Sequence, residues 1–326
     1  MRVEATPAGL FLPEIGLHLD PALPVPVAAI SHGHRDHVSV LAERMITTEE
    51  TAAIVRARIG ETETTVAIPR EPLDLHLPGK APARVTFFPA GHVLGSAGVL
   101  VEVGGERLFY SGDVKLRSSL TCAPAKIPEC DTLVLESTFG LPVFRFPPVE
   151  ELRAAIAAHA RVALDAGETP VFLAHALGKG PEVAKILGEA GIPVSLHGSV
   201  ARMTKIYEDF GIDFPGAEAY EAGALSGRAL IVPPSCRNQP IVTKRKKGRV
   251  IAVTGWALLD AAYDRYGARG LVPLSDHAGY EELLQIAELS RASMVWTIHG
   301  FATPLARALV ARGIDARALP RAGQAA

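Results

Sequence analysis

The stretch SHGHRDHV, Ser31 to Val38, decides how the rest of the chain is read. It places three histidines and an aspartate in the six residues from His32 to His37, in a chain of 326 residues with only 11 histidines. The preceding VAAIS reads as a strand, so the histidines stand on the loop leaving its C-terminal end. His32 and His34, two apart, can face the same way on extended backbone. Asp36 and His37 follow where the chain turns. A solvated polar loop could carry these residues, and so could a site for one cation or for two. Neutral imidazole suits zinc, manganese or iron, and carboxylate suits harder cations.

Two cations need more ligands, and the ends of other strands offer them. His92 closes FFPAGH, Asp113 closes LFYSGD and His299 closes SMVWTIHG. Singly, each has a plainer reading: a lone histidine after a strand is seldom a ligand, and aspartate in SGD is usually a turn residue. Together with the four in the opening window they favour a paired-cation site. Such a site lowers the pKa of water and stabilises displacement at phosphorus or attack on a carbonyl. Asp113 is the natural bridging carboxylate. His277, in LSDHAGY, is a candidate proton donor to the leaving group. Glu136, in LESTFG, is placed to orient it and raise its basicity.

Composition sets outer limits. Hydrophobic residues make up 48% of the chain, enough for a sizeable core. The net charge of -2 gives no global basic field, so a nucleic acid would have to be met by a local patch. The three cysteines, Cys122, Cys130 and Cys236, form no C-x-x-C pair, which argues against a zinc ribbon or a disulfide framework. No signal-peptide pattern opens the chain and no apolar run reaches transmembrane length. The default expectation is a cytoplasmic protein with no membrane partner.

The first third reads as short strands and turns, interrupted by one helix in LAERMITTEETAAIVRARIG (41–60), whose second half has helical spacing. DTLVLESTFG reads as a buried strand ending in polar residues. After about residue 147 the pattern becomes helix, strand, helix, strand, the signature of a parallel α/β unit. From Leu271 helix and strand continue through YEELLQIAELS, SMVWTIHG and LARALVARG. The expectation is an α/β insertion within an otherwise continuous domain: residues 1–140 and 271–326 form that domain and 141–270 the insertion.

These residues resemble the metallo-β-lactamase fold. HGHRDH fits its H-x-H-x-D-H motif, His92 its second histidine position and SGD its bridging aspartate. ESTFG, SDHAG and IHG are similar to motifs A, B and C of the β-CASP nucleases, which insert an α/β cap between A and B. The resemblance implies an αββα sandwich with an inserted β-CASP cap domain, and two divalent cations, zinc or manganese. It implies that His32, His34 and His92 hold one cation and Asp36, His37 and His299 the other, with Asp113 between them. Asp36, His277 and Glu136 are then the residues on which catalysis depends, His277 assisting the leaving group with Glu136 as its partner. Longer phrases, among them PAGHVLGSAG, VPPSCRN and LSDHAGYEELL, resemble the bacterial DNA ligase-associated exonucleases over nearly the whole chain. That implies cleavage of DNA from single-stranded ends, in repair with a DNA ligase and other repair enzymes as partners. The narrow cleft expected of a short cap, and a chain ending without an RNA-binding module, point the same way. His299 at motif C is the histidine usual in RNA-processing members, so RNA is the alternative substrate.

Other features have two readings. TKRKKGR puts five basic residues between Lys244 and Arg249. A solvated turn is the plainer reading, and a phosphate-tracking patch involving Lys244 and Arg245 the functional one. Ser235 and Arg237 in PPSCRN lie on a connecting loop or line a terminal-phosphate pocket. The small residues of HVLGSAG either relieve crowding or bring backbone N–H groups to a phosphate; packing is preferred. His18, His76, His159, His175 and His197 read as loop, surface or packing residues, and Trp256 and Trp296 as core. A silent scaffold is disfavoured because every ligand position is filled, and a small-molecule hydrolase because it would need no cap.

Overall fold

A computed structural model describes residues 1–38, 40, 42–221, 225–244 and 247–320. The chain forms two compact units: residues 1–117, 122–143 and 277–326 make the first, and 118–121 with 144–276 the second.

The first unit begins with β1 (Glu4–Thr6), β2 (Gly9–Leu12), β3 (Leu17–Leu19), β4 (Val27–Ala29) and β5 (Arg44–Thr47), then α1 (Glu49–Arg58). The strands β6 (Glu63–Val66), β7 (Pro72–Leu75), β8 (Ala83–Pro89), β9 (Ala97–Val103), β10 (Glu106–Tyr110) and β11 (Thr132–Glu136) follow. The chain then builds the second unit from α2 (Val149–Asp165), β12 (Thr169–Leu173), α3 (Lys179–Glu189), β13 (Val194–Leu196), α4 (Gly198–Asp209), β14 (Ala217–Ala219), β15 (Ala229–Val232), α5 (Pro240–Thr243), β16 (Gly248–Val253), α6 (Ala262–Tyr266) and β17 (Gly270–Val272). It completes the first with α7 (Tyr280–Ser290), β18 (Met294–Ile298), α8 (Ala302–Val310) and β19 (Ala316–Ala318).

The first unit has two sheets, ordered β1-β2-β3-β4-β5-β6 and β19-β18-β11-β10-β9-β8-β7. The two-residue period of a strand decides what each face meets. On β10, Leu108 and Tyr110 enter a core shared with Leu12, Leu17, Val27 and Ile46 of the other sheet. Phe109 between them points to the opposite face, where Leu283, Leu284 and Ile286 of α7 and Leu305 and Leu309 of α8 pack. Outside the first sheet, Val55 of α1 joins Ala28, Ile30 and Met45. The layers are therefore helix, sheet, sheet, helix.

The helix expected across residues 41–60 occupies only its second half. Arg44–Thr47 is strand β5, paired in parallel with both β4 and β6. Met45, Ile46 and Thr47 are buried, so two partner strands override any helical tendency. The helix starts where Thr48 accepts a bond from the Thr51 N–H, with Glu49 and Glu50 in the first turn and Arg56 and Arg58 in the last. Cap and charges both suit the helix dipole.

The second unit is a six-stranded, wholly parallel sheet ordered β14-β13-β15-β12-β16-β17. The helix α2 buries one stripe, Leu152, Ile156, Ala160 and Ala163, whereas α3 is buried nearly all round its first half, Lys179 to Ala184. β17 pairs with β16, which draws residues 271–276 into this unit. No helix among the described residues is long and apolar enough to cross a membrane.

Candidate metal centre

The first unit gathers the ligand-type residues at the C-terminal ends of its central strands. β4 ends at Ala29, and after it Ser31 and His32 are buried while the chain turns, His37 and Val38 both donating to the His34 carbonyl. β8 leads to His92, β10 to Asp113, β11 ends on Glu136, and β18 leads to His299. Strand ends meet at one edge because the sheets bring them there, not because the sequence places them close.

His32, His34, His92 and Asp113 each present a ligand atom, all within 4.8 Å of one another. His34 Nδ1 and His92 Nε2 are 2.9 Å apart. The Asp113 carboxylate is divided: Oδ2 lies 3.5 Å from His32 Nε2 and 3.6 Å from His92 Nε2, while Oδ1 lies 3.4 Å from His37 Nε2. A carboxylate with one oxygen toward His32 and His92 and the other toward His37 has the form of a bridge.

The donor set fits a divalent cation. His32 is fully buried, its Nδ1 meets Ser31 Oγ at 2.9 Å, and its Nε2 has no hydrogen-bond partner among the described residues. Burial, with His37 and His92 next in effect, holds the His32 pKa well below the usual histidine value, so the ring is neutral and free to ligate. Burial raises Asp113, and His37 and His277 only partly offset it. A buried carboxylate so placed is relieved by a cation beside it. At His37 burial is outweighed by Asp113 and by Asp20, which lift it to about 10.

His277 presents Nδ1 to Glu136, 3.1 Å from each carboxylate oxygen, and lies 3.8 Å from Asp113 Oδ2. Glu136 is fully buried, yet burial is outweighed by His277, by a side-chain hydrogen bond from Thr138 and by the Val114 N–H, and its pKa is lowered. It is an ionised carboxylate that orients an imidazole.

The remaining expected ligands are more open. Asp36 and His299 are exposed, and neither belongs to a compact group of ligand atoms among the described residues. The His299 and His37 rings lie 5.9 Å apart. His299 has φ 61, and its carbonyl accepts from Ser137 Oγ at 2.8 Å. Asp36, with burial opposed by His37 and His34, has a lowered pKa.

Asp20 was missed by sequence reasoning. It follows β3 with φ 45 and accepts from the Ser31 N–H and hydroxyl, from His37 Nδ1 and from the Tyr110 hydroxyl. It thereby joins two ends of the ligand loop to β10. Its one sequence signal is a carboxylate closing the short strand LHL before Pro21.

Ser235, Arg237 and Lys244 lie in the second unit, Ser235 on a single 3-10 turn and exposed, Arg237 against Asn238, and Lys244 exposed. Arg245 is outside the described residues. In HVLGSAG packing is visible: a Cβ on Gly95 would come 2.6 Å from Glu50 Cβ, and one on Gly98 2.4 Å from the Phe109 ring. Ser96 Oγ accepts from the His92 and Val93 N–H groups and holds that loop. Among the lone histidines, His18 stacks on Phe11 and His197 caps α4.

The chain belongs to the beta-lactamase superfamily, whose domain matches residues 13–175. Its similarity to β-CASP metallo-β-lactamase nucleases, read above from the motifs, is borne out by its relatives. A protein from Opitutus terrae named as a probable DNA ligase is 35% identical over 95% of this chain and 30% of its own length. An RNase J-like protein from Methanocaldococcus jannaschii is 29% identical over 38% of this chain and 32% of its own. The chain thus spans about a third of the length of these curated relatives. A protein of unknown function from Enterococcus faecalis shares the fold, with a TM-score of 0.64 at 17% identity over 91% of this chain and 80% of that one.

Proposed function

We propose that the protein is a metal-dependent nuclease that hydrolyses DNA phosphodiesters from single-stranded ends, acting in the cytoplasm in repair alongside a DNA ligase and other repair enzymes. The observation that carries the reading is the divided Asp113 carboxylate, one oxygen toward His32 and His92 and the other toward His37, with the Glu136–His277 pair beside it.

His32, His34 and His92 would hold one divalent cation, zinc or manganese, and Asp36, His37 and His299 the other, with Asp113 shared. Bound there, the cations would lower the pKa of water and stabilise charge at phosphorus. Asp20 fixes the His37 ring so that Nε2 faces Asp113. His277 gives a proton to the departing oxygen, and Glu136 holds the imidazole in place and balances its charge. The main run of the second unit, residues 144–276, falls between Glu136 and His277 in sequence, and this unit is proposed to be the β-CASP domain. Ser235, Arg237 and the Lys244–Arg245 turn are its proposed phosphate contacts.

DNA is preferred because the relative aligned along 95% of this chain carries a DNA ligase name. RNA is the second reading, favoured by the RNase J-like relative and by His299 at motif C. The test compares initial rates on end-labelled DNA and RNA of matched sequence, and on a circular single strand, with zinc or manganese added. Faster cleavage of RNA, or equal cutting of the circle, overturns the DNA exonuclease reading.

A further inference from the structure

Glu136 holds the His277 side chain, but Arg117, paired with a different carboxylate, holds its backbone. Glu282, in the first turn of α7, accepts the Gly279 N–H at 2.9 Å through Oε2. Through Oε1 it accepts the Leu116 N–H at 2.9 Å and the Arg117 N–H at 2.8 Å. The Arg117 guanidinium pairs with Glu282 through Nη1 and donates through Nη2 to the His277 carbonyl at 2.9 Å. Both side chains are largely buried, 17% and 13% exposed. The Ala278 N–H donates to the Val114 carbonyl at 2.6 Å, and the Val114 N–H donates to Glu136 Oε1 at 2.8 Å. The segment 113–117 therefore starts at the shared carboxylate Asp113 and ends in a clamp on His277.

We infer that Arg117, seated by Glu282, is a positioning residue that sets the backbone from which the His277 imidazole reaches the departing oxygen. Capping α7 needs only the Glu282–Gly279 bond. The guanidinium bond to the His277 carbonyl adds nothing to the helix and fixes the one residue that must meet the leaving group. A planar guanidinium can hold carboxylate and carbonyl together, which an ammonium cannot do in the same geometry. This inference rests on the reading of His277 as a proton donor.

The experiment uses the metal-loaded full chain and two diesters: single-stranded DNA, whose alkoxide leaving group needs a proton, and bis(p-nitrophenyl) phosphate, whose phenolate does not. Arg117→Ala is expected to lower kcat on DNA by about 10–100-fold, with KM little changed, because small displacements of a catalytic group are that costly. Hydrolysis of the chromogenic diester and metal content should stay near wild type, and Arg117→Lys should recover part of the loss. Arg117→Ala added to His277→Ala should cost nothing further on DNA, since the two act through one group. Hydrogen exchange supplies a readout free of activity: amides of Ala278 and Gly279 should exchange faster in Arg117→Ala, while those of Leu283 to Ala287 do not change. Equal loss on both diesters, a further fall in the double variant, or unchanged exchange at Ala278 would overturn the inference. A wild-type chain that cleaves neither nucleic acid would instead sink the proposed function, and the exchange result would still decide whether Arg117 holds this backbone.

Discussion

Asp20 Oδ2 and His37 Nδ1 are joined by a 2.8 Å hydrogen bond, and this contact turns His37 Nε2 toward Asp113. The same oxygen takes the Tyr110 hydroxyl at 2.8 Å. A carboxylate behind a ligating imidazole fixes its orientation and raises its basicity. Asp20→Asn should weaken zinc or manganese binding about 10–100-fold with the fold intact. Calorimetric titration with each metal checks this, and unchanged affinity would show that Asp20 serves only the packing of Tyr110.

The divided carboxylate of Asp113 predicts the metal count. Elemental analysis of protein prepared without chelator should find two divalent ions per chain. Asp113→Ala should lose both, whereas His299→Ala should lose one, because His299 stands apart from the compact set of His32, His34, His92 and Asp113. A single ion in the wild type at full occupancy contradicts the two-cation reading.

His277→Ala should keep both metals and slow the chemical step by about 10²–10⁴-fold, the usual range for general-acid assistance. Single-turnover cleavage with metal analysis separates the two effects. Loss of a metal would make His277 a ligand.

The pH dependence of the metal-free protein follows from His37. Burial lowers its pKa, but Asp113 and Asp20 prevail and raise it from 6.5 to about 10. A histidine raised on folding stabilises the native state in full below 6.5, and that contribution is lost as pH climbs to about 10. Chelator-treated wild type should therefore lose stability across this window, and His37→Gln should flatten the slope. Urea midpoints at pH 6, 8 and 10 measure it. Metal binding should release protons across the same window, since the ligating imidazole is neutral.

Gly300 has φ 42, and an added Cβ would lie 2.4 Å from the Ser137 carbonyl oxygen and 2.5 Å from Thr138 Cα. Gly300→Ala should destabilise the fold by about 1–3 kcal/mol, the cost of a strained backbone position. The loop carrying His299 should shift with it, and thermal unfolding with metal titration would register both. An unchanged melting temperature would show that this loop yields freely.

The sequence by itself determined the inventory of candidate ligands. Three histidines and an aspartate within six residues lie together whatever the fold, because a loop of that length cannot separate them far. The apolar runs ending in Gly-His, Gly-Asp and His-Gly marked strand ends, and the alternation after residue 147 marked a parallel α/β unit, since both patterns follow from local periodicity. Periodicity did not separate strand from helix in residues 44–47: the pairing of β5 with β4 and β6 decided it. Tertiary structure alone decided which nitrogen of each histidine faces the centre and which oxygen of Asp113 faces which histidine. It also supplied Asp20, 90 residues from Tyr110 in sequence, and Glu282, 165 residues from Arg117. Such pairs are set by the register of sheets and the docking of α7. Those depend on burial summed over whole layers, and no spacing along the chain encodes them.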